Sequence, residues 1–160
     1  MKRSNAIWVS WEWHRRTVSL TKKMNIPLYV CTSKMPGLLK RFCMIVRTIT
    51  IIMSRRPRIL FVQNPSAFLT ILAILLKPIF RYFLVVDAHN AGVYPFERGH
   101  EKFRKVFPFM HRWADKTVVT NHYLAEIVRQ NGGNPAILPD LLPYLGKVEN
   151  TGLQGFHHSV

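Results

Sequence analysis

Six short runs of β-branched and aromatic residues punctuate the chain: Ala6 to Ser10 (AIWVS), Ile26 to Cys31 (IPLYVC), Ile59 to Gln63 (ILFVQ), Phe83 to Asp87 (FLVVD), Thr117 to Thr120 (TVVT) and Ala136 to Leu138 (AIL). Unbroken apolar runs, as opposed to strict alternation, mark strands buried on both faces. Between them lie segments of helical length: His14 to Met24, Gly37 to Ser54, Ser66 to Phe80, Glu101 to Ala114 and His122 to Asn131. When strands and helices alternate in this way, each helix crosses over the sheet and sets the next strand parallel to the last. The expected fold class is α/β: a Rossmann-like, doubly wound parallel sheet of about six strands with helices on both faces.

Local chemistry sets several boundaries. Pro65 cannot donate to a ladder, so Asn64-Pro65-Ser66 stops the third strand, and Ser66 is placed to cap the helix that follows. Gly132-Gly133-Asn134-Pro135 ends the last helix with residues that tolerate left-handed geometry and then forbids its continuation. Residues 59–76 form an uncharged run of 18, near the length of a membrane span. The Gln63-Asn64-Pro65-Ser66 segment inside it fits a strand, a turn and a buried helix better than one span. Residues 1–148 are expected to form one domain and residues 149–160, which lack periodicity, an irregular tail.

Composition adds a core and a charge. Of 160 residues 48% are apolar, enough to bury an interior, yet 23 Lys and Arg face only 8 Asp and Glu, for a net charge of +15. The excess is uneven: residues 1–86 hold 15 basic groups and the single acid Glu12, whereas residues 87–160 hold 8 basic groups and 7 acids. An anionic partner is implied, met by the first half of the chain. Cys31 and Cys43 lack CxxC spacing and read as buried thiols in a reducing compartment, and no metal site is expected. The basic N-terminus is followed by an apolar run broken at Glu12 and His14, which does not make a signal peptide. GxGxxG, GxxxxGK[ST] and GxSxG are all missing, which weighs against a dinucleotide site, a P-loop and an α/β-hydrolase.

In an open parallel sheet, ligands gather beyond the carboxyl ends of the strands, where helix N-termini point into the crevice. The residues there are Ser10 to Arg16 after the first strand, Asn64 and Ser66 after the third, Asp87 to Asn90 after the fourth, and Asn121 and His122 after the fifth. Together with Phe83-Leu-Val-Val-Asp-Ala-His-Asn90, the segments Ala114-Asp-Lys-Thr-Val-Val-Thr-Asn121 and Ala136-Ile-Leu-Pro-Asp-Leu-Leu-Pro143 resemble the N-terminal, acceptor-side domain of a family 4 glycosyltransferase of two-domain GT-B architecture. The resemblance covers roughly residues 6–143 and lies in the order, spacing and loop chemistry of the segments. Many members carry a Gly-rich loop after the first strand; here Trp11-Glu12-Trp13-His14-Arg15-Arg16 stands in its place, leaving arginines to meet an anion.

The resemblance implies transfer of a sugar from a nucleotide-sugar to a lipid-linked or polysaccharide acceptor, without an obligatory metal. It assigns the donor to a second domain with an acidic motif absent from this sequence. The chain is therefore expected to bind no cofactor alone, to be inactive alone, and to need a donor-binding domain in cis or as a separate chain, whether the gene is truncated or the enzyme split. The expected location is cytoplasmic, peripheral at the cytoplasmic face of the membrane.

Within that frame His89 is the leading catalytic candidate, positioning the acceptor or stabilising charge as the bond to phosphate breaks; otherwise it only caps its strand by hydrogen bonding. Asp87, two residues earlier and on the same side of the strand, would orient His89 or act as base, or else accept loop N–H groups. Candidates for substrate or phosphate contact are His14, Arg15, Arg16, Asn64, Asn90 and Asn121. The basic trio either meets an anion at a helix N-terminus or is a solvated turn. Trp11 and Trp13 read as packing residues or interfacial anchors ahead of sugar platforms. The 37–57 segment, with Lys40, Arg41, Arg47, Arg55 and Arg56 among large apolar residues, suits an anionic membrane surface, and equally a core helix with a basic edge. The competing function class is a non-catalytic basic α/β module binding anionic membrane or nucleic acid. No recognition helix and no aromatic RNA-binding pattern favours the nucleic-acid form.

Overall fold

The computed structural model describes residues 5–64, 66–88 and 106–139. The strands are β1 (Ala6–Ser10), β2 (Leu28–Val30), β3 (Ile59–Asn64), β4 (Phe83–Ala88), β5 (Lys116–Val119) and β6 (Pro135–Ile137). The helices are α1 (Arg15–Met24), α2 (Gly37–Arg55), α3 (Ala67–Phe80), α4 (Val106–Trp113) and α5 (His122–Gln130). All strand pairs are parallel, in the order β2-β1-β3-β4-β5-β6. The α/β class and the doubly wound parallel sheet expected from the sequence are what the chain forms.

The run at 59–76 divides into the end of β3 and the start of α3, and no described helix is long and apolar enough to cross a membrane. β2 is shorter than its apolar run because Pro27 has no N–H; its carbonyl accepts from Trp8 at 2.9 Å, and Cys31 beyond the strand still donates to Ser10 O at 2.8 Å. Ser66 does occupy the N-cap position of α3, but its side chain makes no capping bond, contrary to the sequence reading. The first part of the segment expected to form the fourth helix, residues 101–105, lies outside the described residues.

Three described helices end without glycine where glycine is usual, the first closing on Asn25 after α1 (φ 53°). Arg56 after α2 and Arg81 after α3 hold left-handed backbone (φ 43° and 54°), their N–H groups closing onto Ile52 O and Lys77 O. Gly132 after α5 has φ +76° and suits its position; Gly133 is there for space, since a Cβ on it would meet His111 O and Val128 Cγ1 at 2.8 Å.

Strand alternation gives the sheet two unlike faces. Ile7 and Val9, Leu60 and Val62, Leu84 and Val86 point into one apolar cluster with buried residues of α2, α3, α4 and α5. The right-handed rule puts α1 on the opposite face, because the step from β1 to β2 runs against all later steps. There Trp8 stacks on Phe61 with ring centroids 5.0 Å apart, and Leu20 of α1 is buried.

Candidate functional site

The strand order reverses between β1 and β3, the position at which open α/β sheets leave a crevice at their carboxyl ends. Ser10, Trp11, Glu12, Gln63 and Ser66 line a shallow niche there. On the α1 face, the apolar strands turn polar at this level: Ser10 closes β1, Gln63 lies at the end of β3, and Asp87, paired in register with Gln63, lies at the end of β4. All three are at most 2% exposed.

This row is bonded in two parts. Ser10 Oγ donates to Gln63 Oε1 at 2.6 Å, and accepts the Glu12 N–H at 3.2 Å. Gln63 Nε2, also buried, has no hydrogen-bond partner among the described residues. Exchanging the amide's O and N only moves the unused group to oxygen. The second part comes from α1, whose Arg16 lays its guanidinium on Asp87, with Nε and Nη2 each 3.4 Å from Oδ1, and donates from Nη2 to Leu138 O at 2.9 Å. The pair is almost dry, with side chains 9% and 0% exposed. Thr17, next along α1, is buried with an Oγ1 that finds no partner among the described residues.

The structure thus joins two residues that the sequence presented as separate candidates. Asp87 neutralises Arg16, and the two together tie α1 to the ends of β4 and β6. The basic trio is split: His14 is the half-buried N-cap residue of α1, Arg15 is exposed to solvent, and Arg16 turns inward. Asn121 is the N-cap of α5 and accepts the Leu124 N–H at 2.9 Å. Asn64 ends β3, opposite Ala88 of β4. The side chain of Asn64, and all of His89 and Asn90, lie outside the described residues. Trp11 is a packing residue, 6% exposed, its indole N–H donating to Thr48 Oγ1 of α2 at 2.9 Å; Trp13 is 64% exposed.

Sequence reasoning passed over Gln63 and Thr17 and gave Ser10 no role. The signal was present: β1, β3 and β4 are apolar until a polar residue arrives at the same level of the sheet in each. The site end is also electropositive by construction, since no described helix has an acidic residue in its first turn. Among the described residues no group of three or more His, Cys, Asp or Glu could hold a metal ion. Cys31 is buried and free, and burial pushes its thiol up, away from thiolate chemistry.

No protein-family model matches the chain, and no curated protein matches it. Among solved structures it is similar to Anabaena Alr3699/HepE, determined in complex with UDP, with a TM-score of 0.54 and 11% sequence identity. The match covers 84% of this chain and 43% of that one, so this chain spans about half the length of that protein. At this identity the likeness is one of fold.

Proposed function

We propose that the chain is the acceptor-side half of a GT-B glycosyltransferase, which in its complete form moves a sugar from a nucleotide-sugar to a lipid-linked or polysaccharide acceptor. The observation that carries this reading is a buried polar row at the switch point of a parallel sheet whose fold is shared with part of a longer, UDP-bound protein. In this assignment the donor belongs to a second domain, in cis or on a separate chain. The crevice beyond β1, β3 and β4 then takes the acceptor. Ser10, Gln63 and the Arg16–Asp87 pair hold the shape of that crevice, and His89, immediately after β4, is the group offered to the reacting phosphate and acceptor.

A titration of the chain with UDP and with a short-chain polyprenyl phosphate, followed by amide NMR shifts, tests the assignment. Saturable shifts at Ser10 and Gln63 with the polyprenyl phosphate, and none with UDP, are expected; saturable binding of UDP alone would move the chain to the donor side. The purified chain should transfer no sugar, and robust turnover by it would overturn the half-enzyme reading. In the complete enzyme His89→Ala should lower turnover by more than about tenfold with the fold retained.

A further inference from the structure

α2 is the outermost of the four helices on its face of the sheet, since it leads from β2, the edge strand, to β3. Met44, Thr48 and Ile52 turn it onto the core, and on one flank Arg41 lies over the Phe68 ring of α3 at 4.6 Å. Among the described residues no helix stands on its other flank. The outward stripe is nevertheless apolar. Leu39 (50% exposed), Phe42 (61%), Val46 (45%), the half-buried Ile49 and Met53 (55%) follow one another at intervals of three, four, three and four. That is the a/d spacing by which one helix receives another, knobs into holes. Phe42 and Val46 also line a groove of about 550 Å³ along this flank, with Cys43, Arg47, Thr50 and Ile51.

Charge accompanies the stripe. Lys40 and Arg47, both exposed, stand seven residues apart and therefore on the same side of it, with Arg47 on the wall of the groove. Arg47 donates from Nη1 to Thr32 O at 3.4 Å, a neutral acceptor that leaves its charge uncompensated. No Asp or Glu occurs from Trp13 to Val86, so α2 and the elements on either side of it in the chain hold no acid to answer these cations. A second copy of the chain would set the same charges against themselves. A bilayer surface asks for no particular spacing along a helix, whereas a partner helix needs the three-four interval and, beside it, the opposite charge.

We propose that the outer flank of α2 docks a helix of a protein partner, amphipathic, apolar along one seam and acidic beside it, which packs along α2 as a further member of the helical layer. Phe42 and Val46 enter the seam of the incoming helix, and its Asp or Glu side chains meet Lys40 and Arg47 at the rim of the contact. This docking stands apart from sugar transfer and is read by binding alone.

Fluorescence anisotropy of a labelled synthetic peptide of 19 residues, the length of α2, tests the proposal on the full chain. The peptide carries Leu at a and d and Glu at e and g; a second has Lys in place of Glu, and a third has the composition of the first in scrambled order. Saturable binding of the first alone is expected. Val46→Glu and Phe42→Glu should each weaken it by more than about tenfold, with circular dichroism checking that each variant is folded. Met24→Glu makes a like change at a 43% exposed position on α1, across the sheet, and should act by less than about twofold. Lys40→Glu with Arg47→Glu should move the preference to the Lys peptide. Iodoacetamide reaches Cys43 in the groove but not the 0% exposed Cys31, so the bound peptide should also slow alkylation. Absence of saturable binding, equal binding of the scrambled peptide, equal losses in the Val46 and Met24 variants, or an unmoved preference in the charge-reversed variant would overturn the proposal. So would protection of Cys43 by phosphatidylglycerol vesicles and not by the peptide, which would give the face to a membrane. Self-association by light scattering that Val46→Glu abolishes would overturn it too, since the face would then belong to a second copy.

Discussion

The two faces of the sheet are made by the same strands and differ in what they tolerate. On the face covered by four helices, Leu60, Val62, Leu84 and Val86 are fully buried and apolar. On the other, covered by α1, the level of Trp8 and Phe61 gives way within two residues to Ser10, Gln63 and Asp87. Apolar burial needs only shape, whereas each buried polar atom needs a partner, and Gln63 Nε2 and Thr17 Oγ1 lack one among the described residues. The first face is organised for stability. The second retains polar groups that stability alone does not require.

The contrast can be broken most forcefully at Asp87. Asp87→Ala leaves the Arg16 guanidinium buried without its counterion and should cost about 3–5 kcal/mol in urea unfolding, whereas Arg16→Met with Asp87→Leu should recover most of it. A single variant with the wild-type midpoint would remove the pair from the fold's supports.

The helical face has exceptions of its own, a threonine and a histidine. Thr117 of β5, in register with Val86, is buried with an Oγ1 that lacks a partner among the described residues. His111 of α4 is 0% exposed, neither ring nitrogen has a partner among the described residues, and burial lowers its pKa from 6.5 to about 4. The unfolded chain takes up this proton below pH 6.5 and the folded chain only near pH 4, so stability present above pH 6.5 is lost as pH falls through that window. The loss should be on the order of 3 kcal/mol, measured by calorimetry at stepped pH. His111→Leu should flatten the profile; an unchanged slope would assign the acid sensitivity elsewhere.

Smaller effects sharpen the contrast. Gly133→Ala forces a methyl against His111 O and Val128 and should cost about 2 kcal/mol by denaturant titration. Asn121→Ala removes the α5 cap and should cost about 1 kcal/mol in a thermal melt, with Asn121→Ser restoring it; if the complete enzyme loses turnover even with Ser, Asn121 also contacts substrate. Smallest of all, Ser10→Ala with Gln63→Leu replaces a hydrogen-bonded pair by apolar groups and should shift stability by less than about 1 kcal/mol. A marked loss of acceptor binding alongside that small shift would separate function from packing on the polar face.

Much of the fold was legible because buried parallel strands are written as local apolar runs, each stopped by Pro, Gly or a polar cluster. Ile59 to Gln63 is read as a strand without knowing its neighbours, and the run beyond Pro65 as a separate helix. The polar row was harder to read. Gln63 is an unremarkable last residue until the register sets it beside Asp87, and that register joins segments 24 residues apart. The Arg16–Asp87 pair spans 71 positions, so each residue carried its own functional reading when the two are bonded to one another. The Ser66 cap failed because a capping residue type is only an opportunity, taken or not according to backbone geometry. The exposure of Leu75 and Ile79 on α3 was hidden for the opposite reason: the apolarity of the run was visible, but an apolar run alone implies burial in the core.

The left-handed arginines at 56 and 81 have a further consequence. Glycine would relieve the backbone at either position, so the chain sits below the stability its own topology allows. At both sites the residue retained is a cation at the end of a helix that presents apolar side chains to solvent. Selection for thermal robustness alone would convert Arg56 and Arg81 to glycine and in doing so remove two of the 15 basic groups of residues 1–86, so backbone ease and positive charge draw on the same positions and compete.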